Sequence, residues 1–143
     1  MKQVKYIIWV DNEIKKPEFK NRLEKLSEYN IIKISDPVEF LRFIRSEEND
    51  PVNTLCIILD ISFPKPENEE FENVAGGTPV GEYLINQLKS QHSRYKNVLL
   101  VVHTVTKNPK IIELCKKYEI EYTLKRDAVN FVQKILELTK GLS

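Results

Sequence analysis

Five short apolar runs recur along the chain, and a stretch with apolar residues at helical spacing follows each one. KYIIWV (5–10) is β-branched and aromatic with no polar alternation, which predicts a strand buried on both faces. In EIKKPEFKNRLEKLSEYN, Ile14, Phe19, Leu23 and Leu26 return at near-helical spacing among charges, which predicts an amphipathic helix with Pro17 in its first turn. NIIKI (30–34) predicts a second strand. In SDPVEFLRFIRSEEND, Ser35 or Asp36 can cap a helix and Pro37 suits its first position. Val38, Leu41 and Ile44, with Phe40 and Phe43 beside them, form its apolar stripe, and Asp50-Pro51 ends it. TLCIILD (54–60) is the third and most apolar strand. TPVGEYLINQLKSQ (78–91) predicts a helix with Thr78 as cap and Pro79 at its first position. NVLLVVHT (97–104) is the fourth strand, and Asn108-Pro109 opens a helix with Ile111, Ile112, Leu114, Cys115 and Tyr118 apolar. IEYTLK (120–125) is the fifth, and Asp127 caps a last helix whose face is Ala128, Phe131, Val132, Ile135 and Leu138.

Strand-helix alternation repeated in this way implies an α/β fold, with one doubly wound parallel sheet and helices on both faces. We expect a single domain over residues 1–143 with no output domain attached. The segment from about 62 to 77 breaks the rhythm. It holds two prolines, paired glycines and Glu67, Glu69, Glu70 and Glu72, and strand-to-helix connections of this length are usually functional or disordered. It can be a solvated acidic face, a shield over a site, or a partner surface.

With 143 residues the chain can bury a real core. Lys and Arg number 22 against 21 Asp and Glu, so the formal net charge is only +1. That balance gives no reason to expect nucleic-acid binding through phosphates or attachment to an anionic membrane. The apolar run Tyr6–Val10 is too short for a signal-peptide core or a membrane span and ends in acids, so we expect a cytoplasmic protein. Cys56 and Cys115 are unclustered and sit in apolar patterns, which favours buried thiols over a disulfide, and no zinc spacing is present.

In an open parallel sheet, sites form outside the carboxyl ends of the strands. Strand one delivers Asp11-Asn12-Glu13 there, strand three Asp60, strand four Val102-His103-Thr104, and strand five Lys125. Crowded carboxylates repel one another unless a cation sits between them. Oxygen ligands on a rigid rim suit Mg²⁺. A carboxylate beside Mg²⁺ and a lysine can attack a phosphoryl group and hold it as an acyl phosphate.

VDNE after the first strand, ILD at the third, the glycine-containing turn in GGTPVGEYLINQLK and LK at the fifth resemble the receiver domain of bacterial two-component response regulators, over essentially the whole chain. The resemblance implies a flavodoxin-like (βα)5 sheet of order 2-1-3-4-5 and a signalling switch with at most weak self-catalysed phosphotransfer, not an enzyme. It implies that Asp60 accepts phosphate from a histidine kinase or phosphotransfer protein, that Lys125 contacts the phosphoryl group, that Asp11, Asn12 and Asp60 hold Mg²⁺, and that Tyr122 is the aromatic switch residue governing a face for an unknown downstream protein. Asn12 departs from the pattern, since the family has a second acid there, and Arg126 stands where a proline is common. The hydroxyl at the end of strand four falls on Thr104 or, aligning on VLLV, on a position held by Val102. A degenerate receiver used as a protein-interaction module, without phosphorylation, is the alternative. A metal-dependent phosphatase or nuclease using Asp11, Glu13 and Asp60 ranks lower, because no glycine-rich phosphate cradle accompanies them.

Each residue also has a plainer reading. Asp60 can cap a turn before Pro64, Lys125 can be a solvated lysine, and Asp11 can cap the first helix. Tyr122 can be a half-buried strand aromatic, and we expect His103 to be a hydrogen-bonded rim histidine. Gly81 costs stability inside a helix, which close packing would explain.

Overall fold

The apolar runs form five parallel strands: β1 (Tyr6–Val10), β2 (Asn30–Ile34), β3 (Thr54–Leu59), β4 (Leu99–Thr104) and β5 (Glu121–Leu124). Their spatial order is β2-β1-β3-β4-β5. The structure is a computed structural model and describes residues 4–14, 16–17, 24–105, 107–126 and 128–140. The helices whose bounds lie among the described residues are, in chain order, α1 (Pro37–Arg45), α2 (Thr78–Lys89), α3 (Pro109–Tyr118) and α4 (Ala128–Thr139). The central strands are the most apolar, and Leu55 to Leu59 are all buried.

Successive strand side chains point to opposite faces, so each central strand feeds two cores. Ile8, Val10, Ile57, Leu59 and Val102 pack with Phe40 and Leu41 of α1, Val80 and Leu84 of α2, and Ile111 and Cys115 of α3. On the other face Ile7, Trp9, Cys56, Ile58 and Val101 pack against Leu26 and against Phe131, Val132 and Ile135 of α4. Each such side chain contributes about 1.5–3 kcal/mol of burial. Both cysteines are free and buried, as their apolar setting suggested. For the predicted helix after β1, Phe19 and Leu23 lie outside the described residues, while Ile14 packs on the second core and Leu26 is fully buried in it. Asp127, the expected cap of α4, and the side chain of Ala128 also lie outside the description.

Side-chain caps explain the starts of α1 and α3. Asp36 Oδ1 accepts from the Val38 N–H at 2.9 Å, with Pro37 at the first position. Asn108 Oδ1 accepts from the Ile111 N–H at 3.1 Å. The helix predicted over 35–50 is shorter, because Ser46 ends α1 and Asp50 caps a separate short 3-10 turn at Pro51–Asn53. Thr78 does not cap α2. Gly77 holds that position at φ 89°, a conformation costly for any residue with a Cβ. Thr78 becomes the first helical residue, and its hydroxyl accepts from Asn108 Nδ2 at 3.3 Å.

The 62–77 segment is folded. Phe63 and Gly77 form an antiparallel bridge at its base, with the Gly77 N–H donating to Phe63 O at 2.7 Å. Asn68 caps a 3-10 turn at Glu69–Phe71, and Phe71 is fully buried against Tyr83 with ring centroids 5.0 Å apart. Arg45 of α1 clasps both Glu70 oxygens at 2.7 and 2.6 Å, and the Tyr83 hydroxyl donates to the same carboxylate at 2.6 Å. Four acids made the segment read as polar, yet two phenylalanines and one ion pair fasten it to α1 and α2. At the next turn of chain, α2 lies against the end of β3. A Cβ on Gly81 would fall 2.2 Å from Ile61 O, so only glycine fits.

Candidate functional site

Register brings the acids together. Val10 pairs with Leu59, so the next residues, Asp11 and Asp60, leave the carboxyl edge side by side. The Asp11 N–H continues the ladder to Ile34 O at 2.9 Å and the Asp60 N–H to Val10 O at 2.9 Å. On the far side of the sheet, the Lys125 N–H donates to Thr104 O at 2.7 Å and fixes where its side chain starts.

Lys125 then reaches back across the rim. Its Nζ lies 2.9 Å from Asp11 Oδ2, 3.2 Å from Asp60 Oδ2 and 3.4 Å from Glu13 Oε2. Asp11, Asp60 and Lys125 are all buried. Asp60 Oδ1 accepts the Ile61 N–H at 2.8 Å and, more weakly, the Ser62 N–H at 3.4 Å. Oδ2 is left to face the lysine.

Burial and the charge of Asp60 push the Asp11 carboxyl up to about 6, with Lys125 and the Glu13 N–H opposing. Burial also raises Asp60, again against the pull of Lys125 and the two backbone amides. Burial works to lower the Lys125 ammonium, but Asp60 and Asp11 outweigh it and hold it above its ordinary value. For Glu13, burial pulls upward and the lysines 125 and 16 win, leaving it below the usual carboxylate range. The buried part of the site is therefore short of positive charge: Lys125 alone serves Asp11 and Asp60, while Glu13 also pairs with Lys16 at 3.3 Å.

Of the sequence-predicted residues, Asp11, Asp60 and Lys125 converge. Asn12 does not, since it is exposed and its carboxamide makes no hydrogen bond to the described residues. Glu13 takes part instead. Its N–H donates to Asp11 Oδ1 at 2.8 Å, a local turn that brings the chain back over the rim. The acid-x-acid spacing was visible in the sequence, but the turn that uses it was not. At the end of β4, Thr104 is the terminal residue and pairs with Leu124, whereas Val102 lies inside the sheet between Leu59 and Tyr122. Thr104 is therefore the last residue of β4, and Val102 is core.

Tyr122 packs on the larger core, and its hydroxyl accepts the Asn108 N–H at 3.3 Å. His103 is fully buried beneath the rim. Thr123 Oγ1 donates its one proton to Val102 O at 2.8 Å, so His103 Nδ1, 2.9 Å from that oxygen, must be the donor to it. The ring stacks on Phe131 at 3.7 Å.

Among the described residues no three His, Cys, Asp or Glu side chains group as a metal site. A cation that keeps its waters and takes one or two carboxylates still suits the donors here: two crowded, oxygen-only side chains whose mutual repulsion it would relieve.

No protein-family model matches the chain, and no curated protein matches it. Solved structures do. The Mn²⁺-bound form of response regulator Rcp1 is 21% identical over 93% of this chain and 92% of that one, with a TM-score of 0.67. The phosphorylated cyanobacterial phytochrome response regulator RcpA is 17% identical over 98% and 96%, with a TM-score of 0.70. A CheY-like receiver domain protein from Methanospirillum hungatei JF-1 is 17% identical over 97% and 96%, with a TM-score of 0.67. The fold is that of response-regulator receiver domains. The sheet order β2-β1-β3-β4-β5 agrees with the receiver order expected from the motifs. On this receiver fold the acid-lysine cluster occupies the carboxyl edge, where open parallel sheets place their chemistry. Among the described residues no helix is long and apolar enough to cross a membrane.

Proposed function

We propose that this chain is a response-regulator receiver, a cytoplasmic switch that takes a phosphoryl group on Asp60 and changes a protein-interaction face. The observation that carries the reading is the Lys125 ammonium held between Asp60 Oδ2 at 3.2 Å and Asp11 at 2.9 Å. Asp60 Oδ1 is tethered by backbone amides, so Oδ2 is the nucleophile. It forms the new O–P bond as the bond from phosphorus to a donor phosphohistidine nitrogen, or to the acyl oxygen of a small phosphodonor, breaks with its electron pair leaving on the donor. The donor is a histidine kinase or phosphotransfer protein. Lys125 then pairs with the phosphoryl oxygens in place of the Asp60 carboxylate, and the Thr104 hydroxyl donates to them. Asp11 and Asp60 would hold Mg²⁺, with no direct part for the exposed Asn12, and the ion when bound would neutralise charge on the transferred oxygens. About two added negative charges draw Lys125 and Thr104 inward. Tyr122, across the ladder from Val102 and bonded to the Asn108 N–H, changes place with the loop that carries Asn108.

Intact mass after incubation with Mg²⁺ and acetyl phosphate tests this. One added phosphoryl group, absent in Asp60→Asn and after EDTA, is expected. Uptake that survives in Asp60→Asn refutes the acceptor assignment. A second reading, a non-phosphorylated interaction module, is favoured by one observation: Asn12 is exposed and brings no charge to the cluster. No mass shift under any condition would select it.

A further inference from the structure

Besides the candidate site at the carboxyl edge, the structure assigns a second site, for a phosphate-type oxyanion, to a pocket at the opposite end of the sheet between the ends of α1 and α2; we propose that Arg94, His92, Ser93 and Gln87 bind a phosphate monoester there. The pocket holds about 270 Å³ and has no acidic residue in its lining. Its polar lining is rich in donors: the guanidinium groups of Arg45 and Arg94, the carboxamide of Gln87, the hydroxyls of Ser90 and Ser93, and the His92 ring. The carboxylate bound to Arg45, Glu70, is engaged by it through both oxygens and by Tyr83. Gln87 Oε1 accepts from Arg45 at 3.2 Å, which leaves its amide N–H groups as donors. Ser93 Oγ accepts the Tyr95 N–H at 3.2 Å and keeps its own proton to give.

Arg94 is the centre of the argument. One of its nitrogens donates to Ser46 O at 2.8 Å, and among the described residues no carboxylate pairs with it. A guanidinium has five N–H donors in a fork that matches phosphate, so the anchored side chain still presents donors. Its bond to Ser46 O fixes it in place, so little side-chain entropy is lost on binding.

The charge balance favours an anion despite the helix ends. The carboxyl end of a helix carries roughly half a negative charge, and two end here, at Arg45 and Lys89. Cations already stand at both ends: Arg94 donates to Ser46 O, the C-cap of α1, at 2.8 Å, and Lys89 is the last residue of α2. A larger cleft of about 740 Å³ adjoins through Arg94 itself and adds Lys89 and Lys96, with Glu119 as its one acid. Burial lowers the Lys89 ammonium, and a nearby anion would restore it. The cleft also has apolar walls at Val52 and Leu99, room for the organic body of a monoester.

The site is independent of Asp60. β3 starts at this end and delivers Asp60 at the other, and its six residues span roughly 20 Å.

The full chain, labelled with ¹⁵N, is titrated with inorganic phosphate and, separately, with a short phosphoserine peptide, using chloride at equal ionic strength as control. Saturable shifts of the amides of Gln87 and of residues 90–94 are expected. They weaken at least about tenfold in Arg94→Gln and are retained in Asp60→Asn, the change expected when a charge-assisted phosphate contact is lost. His92→Ala and Ser93→Ala, both on the surface loop, each weaken binding even if Arg94→Gln is poorly folded. Tighter binding of the peptide assigns the phosphate to a modified protein; equal or tighter binding of inorganic phosphate assigns it to a small molecule. Shifts reproduced by chloride, shifts confined to the Asp11–Asp60–Lys125 edge, no saturation, or unchanged affinity in all three pocket variants would overturn the proposal.

Discussion

Asp11→Asn is expected to stabilise the protein near neutral pH and to lose that advantage in acid. Asp11 is fully buried, and burial together with the charge of Asp60 raises its carboxyl from 3.8 to about 6. A folded-state value above the unfolded one means that the folded protein holds this proton more tightly. Stability from this group is then greatest below 3.8 and falls as pH rises through 6, above which the whole penalty is present. The span corresponds to about 3 kcal/mol, at about 1.4 kcal/mol for each tenfold change. That figure already contains the attraction of Lys125, so it is a net cost of keeping the carboxylate ionised in place. The amide is nearly isosteric, and its oxygen can go on accepting the Glu13 N–H. It must find a partner for its own N–H₂, and Asp60 is adjacent. We therefore expect a gain of about 1–3 kcal/mol near pH 7.5 that shrinks toward zero near pH 4. For a chain of this size each kcal/mol moves Tm by about 2–4 °C. Urea denaturation at several pH values, followed by the fluorescence of Trp9, the chain's one tryptophan and a core residue of β1, gives the measurement. An Asp11→Asn protein less stable than the parent near pH 7.5, or one equally stabilised at pH 4 and pH 7.5, would show that the reasoning is wrong. A gain would mean that the rim acid is kept at a cost to stability, as functional sites often are.

Three other outcomes follow from the packing. Gly81→Ala should cost about 2–3 kcal/mol, because its Cβ would meet Ile61 O at 2.2 Å and α2 must shift off the strand end; urea midpoints check it, and a cost under half a kcal/mol would contradict the contact. Phe71→Ala should cost about 3–5 kcal/mol and loosen the 62–77 segment, so limited proteolysis should cut within it before the sheet unfolds; resistance equal to the parent would show that the Arg45–Glu70 pair alone holds it. Tyr122→Phe removes the acceptor of the Asn108 N–H, so amide exchange at Asn108 should quicken while global stability changes by less than about 1 kcal/mol; unchanged exchange would mean that the hydroxyl does not hold the loop.

The central strands β1, β3 and β4 were legible because each carries a continuous apolar run whose alternate residues serve two cores, and its short length sets it apart from a helix. The α1 and α3 caps were legible for the same local reason: a short polar side chain before Pro reaches its own backbone, in Asp36-Pro37 and in Asn108-Pro109. The rim acids Asp11 and Asp60 and the lysine at 125 could be placed at one edge because strand direction is fixed by the alternation. What the chain could not reveal locally depends on contacts between distant segments. Gly77 displaced Thr78 as the α2 cap because the Phe63 bridge dictates how the chain enters the helix. The acidic segment is folded because Arg45, twenty-five residues before Glu70, and a buried Phe71 hold it. Thr104 rather than Val102 reaches the edge because the β3–β4 register pairs Val102 with Leu59. Glu13 joins the cluster, and Asn12 does not, because one turn rotates the two side chains apart while Lys125 extends from β5 to meet only one of them. Sequence by itself determined which residues could be buried and where the chain must turn. Register, side-chain reach and the scarcity of positive charge at the rim arise only when five strands lie side by side, and the tertiary structure decided them.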